Sequence, residues 1–82
     1  MEIEKLQNFL KNRYKFEPKK DEDQIIEEFK VEIDKLNALI KKKDMEKLDV
    51  AIGKFLIDLL RACNTFDIDL GKTLKEKLQY GL

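Results

Sequence analysis

The sequence has no histidine, no tryptophan and only one cysteine among its 82 residues. Without histidine and with a single thiol, the chain supplies neither a zinc site of Cys and His ligands nor an internal disulfide. It also has no secretory signal pattern and no apolar run long enough to cross a bilayer. We therefore predict a cytoplasmic protein with no membrane contact, in which Cys63 is a small buried hydrophobe and not a reactive thiol.

A net charge of either sign is also missing. The 17 basic and 17 acidic side chains cancel, so no global field attracts nucleic acid, and we expect no nucleic-acid partner. The short length predicts a single domain over residues 1–82, near the lower limit for a chain that buries a self-sufficient core.

The longest helical pattern runs from Asp44 to Phe66 and predicts one long helix. Its apolar residues recur at gaps of three and four; they are Met45, Leu48, Ile52, Phe55, Leu59, Ala62 and Phe66. Further apolar residues widen this stripe to roughly two-thirds of the circumference, which predicts a nearly buried helix. The narrow polar seam that remains consists of Lys47, Ala51, Lys54, Asp58 and Arg61. Three short neighbours cannot cover so much apolar surface, so we predict a homodimer in which a second copy covers the rest.

Two helices are predicted before the long one. The first covers residues 2–16 and ends before Pro18. Its inward side chains are Ile3, Leu6, Phe9, Leu10 and Tyr14. The second begins at a cap, either Asp21 or Asp23, and runs to about Lys42. Its core stripe is Ile26, Phe29, Ile33, Leu36 and Ile40, flanked by Ile25 and Leu39.

The connections complete the predicted fold. Asp44 caps the long helix directly after the second helix ends, which predicts a tight antiparallel hairpin of the second and third helices. Asp69 caps a short last helix that ends near Gly81. The inward side chains of that helix are Leu70, Leu74 and Leu78. Together these patterns predict an all-α fold of four helices, a helical bundle completed by dimerisation.

One residue interrupts the apolar face of the second helix. Glu32 lies between Ile25 and Leu39, where a carboxylate is costly unless it is paired. The predicted hairpin brings Glu32 opposite Lys54 of the polar seam. We therefore predict a buried ion pair between Glu32 and Lys54, shared by Asp58 one turn further along.

Six short blocks between Leu6 and Leu78 match the sequence pattern of a known protein family. The numbers of residues between the blocks match that pattern as well, without insertions or deletions. The blocks are Leu6-Gln7 followed by Tyr14, Val31-Glu32-Ile33-Asp34-Lys35-Leu36, Ala51-Ile52-Gly53-Lys54-Phe55, Cys63-Asn64, Asp67-Ile68-Asp69-Leu70 and Leu74-Lys75-Glu76-Lys77-Leu78. In these blocks the chain resembles the MazG-like all-α nucleoside triphosphate pyrophosphohydrolases, whose short members have the same order of helices. The second block falls where that family has Glu-Glu-Val-Gly-Glu-Leu, and the third where it has Glu-Leu-Gly-Asp-Val.

The resemblance implies a metal-dependent enzyme, but the residues of this chain depart from it. The family holds Mg²⁺ with a Glu-x-x-Glu pair on one helix and a Glu-x-x-Asp pair on the next, and releases pyrophosphate from a nucleoside triphosphate. Carried over, the four ligand positions are Glu32, Lys35, Ala51 and Lys54, so one carboxylate of four is left. A protonated lysine has no lone pair for a metal. We therefore predict no metal and no cofactor at these positions.

The resemblance and these departures from it together imply a catalytically degenerate MazG-like protein, which binds a nucleotide weakly, or a protein partner, without hydrolysis. Two alternatives stay open. One is an active Mg²⁺-dependent pyrophosphohydrolase with Glu28, Glu32 and Asp58 as its ligands, and the other is a helical interaction module without nucleotide chemistry. Asn64 is the candidate to hydrogen-bond a ribose or a base, although a structural role fits its position equally well.

Two further pairs of polar residues are expected to stabilise the long helix and not to bind a ligand. Arg61 is expected to pair with Asp58 along the polar seam, three residues away. Glu46 and Asp49 form another Glu-x-x-Asp pair, but they face away from the seam and are interpreted as first-turn acids favoured by the helix dipole. Glu46 and Asp49 therefore add no candidate metal ligand.

Overall fold

A computed structural model of the chain describes residues 2–80. These residues form four α-helices and no strand: α1 (Ile3–Arg13), α2 (Glu22–Lys42), α3 (Met45–Thr65) and α4 (Leu70–Tyr80). The predicted all-α fold with four helices is confirmed. The chain divides into two compact units, one made of residues up to Glu17 with those from Leu59 onwards, and one of residues Pro18–Asp58. We call them unit 1 and unit 2.

The first helix is shorter than predicted. It ends at Arg13 instead of residue 16, and the chain turns there because the Glu17 N–H donates a hydrogen bond to the Tyr14 carbonyl. A residue directly before proline avoids helical backbone angles, so Glu17 favours this early end. The predicted end of the last helix near Gly81 lies outside the described residues.

Aspartate side chains begin three of the helices. Asp21 Oδ1 accepts a hydrogen bond from the Gln24 N–H at 2.9 Å, and the Gln24 side chain returns one to the Asp21 N–H at 3.0 Å. This reciprocal capping box makes Asp21, and not Asp23, the cap of α2. Asp44 and Asp69 accept from backbone N–H groups three residues later, at 3.2 and 3.1 Å. The sequence predicted both of these caps.

Unit 2 is an antiparallel hairpin of α2 and the first part of α3. Lys43 closes α2 in the left-handed region with φ 56°, and its N–H donates to carbonyls of the last turn. The Phe29 and Phe55 rings then meet edge to face, with centroids 5.8 Å apart. Phe29 and Phe55 lie at nearly equal distances along the chain from the turn, so the two helices run side by side in opposite directions. The predicted hairpin is therefore present.

The predicted burial is wrong for many apolar residues. Within the described residues, the buried apolar side chains are Leu10, Ile25, Leu39 and Leu60. Several side chains that were predicted to face the core are about half exposed or more: Phe9, Ile26, Ile33, Ile40, Met45, Ile52 and Leu78. The long helix is thus not nearly buried in the single chain. Two packed helices cover only the strip along which they touch, and the neighbouring apolar arcs stay open. None of the described helices is long and apolar enough to cross a membrane.

Candidate functional site

The candidate site lies in unit 2 and is built around the ammonium group of Lys54. Lys54 Nζ lies 2.9 Å from Glu32 Oε1 and 3.0 Å from Asp58 Oδ2. Glu32 comes from α2, whereas Asp58 lies one turn after Lys54 on α3. The helical hairpin therefore brings together the three residues that the sequence predicted to meet, and we call them the Lys54 triad.

The members of the Lys54 triad differ in burial. The side chains of Glu32 and Asp58 are 13% and 11% exposed, whereas that of Lys54 is 66% exposed. The predicted ion pair is therefore buried on the carboxylate side only, and water still reaches the lysine. Glu32 Oε2 is shielded from solvent and has no hydrogen-bond partner.

Burial and mutual contact set the charges of the Lys54 triad. Burial is the largest influence on Glu32, and with the neighbouring Asp58 carboxyl it raises the pKa of Glu32 above 4.5. Burial also acts to raise the pKa of Asp58, but the neighbouring Glu32 carboxyl and the hydrogen bond from Lys54 outweigh this and lower it. The hydrogen bonds to Glu32 and Asp58 raise the pKa of Lys54, so the lysine stays charged. Of the two carboxylates, Glu32 takes up a proton first.

The residues at the four positions where the resemblance implies metal ligands do not fit a metal ion. Lys35 is exposed and Ala51 carries no donor atom. Lys54 holds a positive charge beside Glu32, the one carboxylate among these four positions, and an ammonium group has no lone pair to offer a cation. Among the described residues, no group of three His, Cys, Asp or Glu side chains is arranged to hold a metal.

The other carboxylate considered as a ligand, Glu28, is held by a different lysine. Lys20 Nζ lies 2.7 Å from Glu28 Oε1 and donates to Oε2 at 2.8 Å. Lys20 could not be identified from the sequence, since it lies before α2 in a segment without helical periodicity. All three carboxylates of the alternative ligand set, Glu28, Glu32 and Asp58, thus accept hydrogen bonds from lysines.

Arg61 lies in unit 1 and does not pair with Asp58 as predicted. Its guanidinium lies 3.3 Å from Glu17 Oε2 and 3.8 Å from the centre of the Tyr14 ring. The early end of α1 at Arg13 places Tyr14 and Glu17 in the turn, where both reach Arg61. Cation–π contact and ion pairing hold the arginine at this turn.

Asn64 is part of a polar cluster in unit 1. Its Nδ2 donates to the Gln7 carbonyl at 3.0 Å, and its Oδ1 accepts from Gln7 Nε2 at 3.1 Å. Gln7 also donates to the Ile68 carbonyl and accepts from the Leu70 N–H, both at 3.0 Å. Gln7 is buried, and the cluster ties α1 to the end of α3 and the start of α4.

The role of Gln7 was missed from the sequence, although a signal was present. Gln7 is a polar residue in the apolar series Ile3, Gln7, Leu10, Tyr14, which has helical spacing. A buried amide in such a series needs partners for both of its ends. Beside it lies an open cleft of about 250 Å³, lined by Glu4, Gln7, Asn8, Lys11, Asn64, Asp67, Ile68 and Asp69.

Cys63 is partly buried, as an apolar helix position predicts. Burial raises the pKa of its thiol above 9.0, which lowers the thiolate fraction at neutral pH.

Comparison of the chain with protein-family models, curated proteins and solved structures gives no match.

Proposed function

We propose that this protein is a non-hydrolytic relative of the MazG-like pyrophosphohydrolases, which works by binding a protein partner. The single observation that carries the proposal is the position of Lys54. Its ammonium group hydrogen-bonds Glu32 and Asp58 at 2.9 and 3.0 Å, in the place where the resemblance implies a bound cation. A fixed positive charge there supports the helix pair but supplies no Lewis acid for attack on a phosphate.

The experiment is a pyrophosphate-release assay with Mg²⁺ and each common nucleoside triphosphate. We expect release at the rate of the protein-free control for the wild-type chain. Calorimetry with Mg²⁺ should give no binding heat, whereas Lys35→Glu, Ala51→Glu and Lys54→Asp together restore the family's carboxylates and should restore binding. A matched triple variant with the same change in charge, Lys30→Glu, Asn37→Asp and Lys41→Glu, should bind no Mg²⁺. Hydrolysis by the unmodified protein would contradict the proposal.

The alternative of an active enzyme with unusual ligands has less support. Its ligands, Glu28, Glu32 and Asp58, are already bound to Lys20 and Lys54. A metal ion would have to displace both lysines before it could bind. Calorimetry that finds Mg²⁺ binding in the wild-type chain and none in Glu32→Gln would favour this alternative.

Protein binding is better supported than nucleotide binding. Both ends of the Asn64 amide are engaged by Gln7, and the adjacent cleft carries the carboxylates of Glu4, Asp67 and Asp69 against the single ammonium of Lys11. That charge balance repels a triphosphate. Thermal-shift measurements with nucleotides should therefore show no stabilisation.

The partner that we propose is a second copy of the chain. Exposed large apolar residues are spread over α2 and α3, more than single scattered positions would give on a monomer. The proposal includes a cytoplasmic location, where an unpaired thiol such as Cys63 is ordinary. Sedimentation at micromolar concentration should give the mass of a dimer.

A further inference from the structure

Unit 2 has one apolar face that the hairpin itself leaves open. It consists of six side chains, each 41–56% exposed: Ile26, Ile33 and Ile40 on α2, and Met45, Ile52 and Leu56 on α3. We call them the hairpin face. On α2 they recur every seven residues, the spacing at which one helix presents a continuous stripe to another helix.

Both halves of the hairpin face lie on the same side of the hairpin. On α2, each exposed isoleucine directly follows a largely buried residue, as Ile33 follows Glu32. One residue corresponds to a rotation of roughly 100° around the helix, so each isoleucine points that far away from the buried side. On α3, Ile52 and Leu56 lie roughly 60° and 100° around from Phe55, which contacts Phe29. Because the helices run in opposite directions, these rotations of the same sense and similar size lead to the same side of the hairpin.

The Lys54 triad marks the opposite side. Lys54 comes one residue before Phe55, so it is rotated away from the hairpin face to meet Glu32. The register set by this ion pair and by the two phenylalanines places Ile33 level with Ile52. Ile40 and Met45 are level in the same way, so the face is a continuous double row of apolar side chains.

We propose that the hairpin face is the surface through which two copies of this chain associate, by packing their hairpins face to face about a twofold axis. The inference rests on the proposed function, since it names the surface that the homodimer would use. The six residues together expose on the order of 600 Å², at the upper end for the largest apolar patch on a monomer. Two such faces bury on the order of 1,200 Å², which reaches the range of stable specific interfaces even before the polar rim is counted.

A second copy suits this face better than an unrelated partner would. The face presents one apolar row from each of its two helices, with three side chains in each row, so a twofold rotation brings apolar rows onto apolar rows. The result is a set of four packed helices in which the Lys54 triads remain on the outer sides, in contact with water.

The test compares two double variants by sedimentation equilibrium. Ile33→Glu with Ile52→Glu places two carboxylates in the hairpin face and should weaken association at least about 100-fold. Val31→Glu with Val50→Glu is the matched control, because these valines are 59% and 73% exposed but lie on the other side of the hairpin. The control should associate within about threefold of the wild-type chain, as exposed surface positions do.

A second measurement applies if the first double variant loses its helical circular dichroism. A photoreactive benzoylphenylalanine at Ile40 should cross-link to a second copy, and the same group at Val50 should not. The inference is overturned by a wild-type monomer at 100 micromolar, by a folded Ile33→Glu, Ile52→Glu dimer, or by cross-linking from Val50 and not from Ile40. A dimer held by another surface would overturn this inference and leave the proposed homodimer standing. Nucleotide hydrolysis is read separately and does not affect either result.

Discussion

Lys54 is largely exposed, but both carboxylates that it binds are largely buried. Lys54→Met should therefore destabilise the fold, because it leaves Glu32 and Asp58 side by side without a cation. Lys54→Met with Glu32→Leu should recover most of this loss. We expect a coupling energy of about 1–2 kcal/mol, between the values for exposed and for fully buried pairs, since water still reaches the lysine.

Urea unfolding of the wild type, both single variants and the double variant gives this coupling energy. Lys47→Met is the matched control, because Lys47 is 77% exposed and lies 3.9 Å from Asp44; it should change stability by less than about 0.5 kcal/mol. Additive effects of Lys54→Met and Glu32→Leu would mean that the two side chains do not interact in solution.

Glu32 also gives the fold a specific dependence on pH. Burial raises its pKa above 4.5 in the folded chain, so its contribution to stability is full below pH 4.5 and is lost as the pH rises through the raised value. The stability of Glu32→Gln relative to wild type should therefore increase between about pH 4 and pH 7. The pH dependence from Asp58 has the opposite sign, because its pKa is lowered from 3.8 in the folded chain. Its contribution to stability is full above pH 3.8 and is lost as the pH falls through the lowered value.

Unfolding curves of wild type and Glu32→Gln at several pH values test this dependence. Glu27→Gln removes an exposed carboxylate from the same helix and controls for the change in net charge. A stability difference between wild type and Glu32→Gln that stays constant with pH would show that Glu32 ionises as it does in the unfolded chain.

At the scale of the helix, Asp21 and Asp23 offer a direct comparison of two aspartates near one helix start. Asp21 Oδ1 accepts from the Gln24 N–H at 2.9 Å, so Asp21→Ala should lower the free energy of unfolding by about 0.5–2 kcal/mol. Asp23 lies within the first turn, and Asp23→Ala should cost about 0.3–1 kcal/mol through the helix dipole alone. Thermal melts that rank the two variants in the reverse order would contradict the capping box.

Helix starts and the hairpin could be predicted from the sequence, because the caps Asp44 and Asp69 and the spacing of apolar residues act locally. The contact of Lys54 with Glu32 followed from the hairpin register in the same way. Burial could not be predicted, because apolar spacing does not tell whether Ile33 and Ile52 are covered by this chain or by another. The pairing of Arg61 with Glu17 depended on where α1 ends, which a short turn decides and a periodicity does not.

For the whole molecule, the proposed loss of the metal site has a consequence for stability. A ligand that binds the folded chain raises its melting temperature, so the wild-type protein should melt at the same temperature with millimolar Mg²⁺ and with a chelator. The triple variant Lys35→Glu, Ala51→Glu, Lys54→Asp should melt higher with Mg²⁺ than with the chelator. A melting temperature of the wild type that rises with Mg²⁺ would mean that other residues bind the ion.

The short turn at Lys43 and Asp44 also determines the order in which contacts form during folding. The ion pair between Lys54 and Glu32 joins residues 22 apart in the chain, whereas the bond between Gln7 and Asn64 joins residues 57 apart. Closing the longer loop costs about 0.8 kcal/mol more in chain entropy. Unit 2 can nucleate from local contacts, while unit 1 must wait for distant parts of the chain to meet. In refolding from denaturant, we therefore expect the apolar rows of the hairpin to form, and to be open to water, before the polar cluster of Gln7 closes, so that aggregation competes with correct association of two copies.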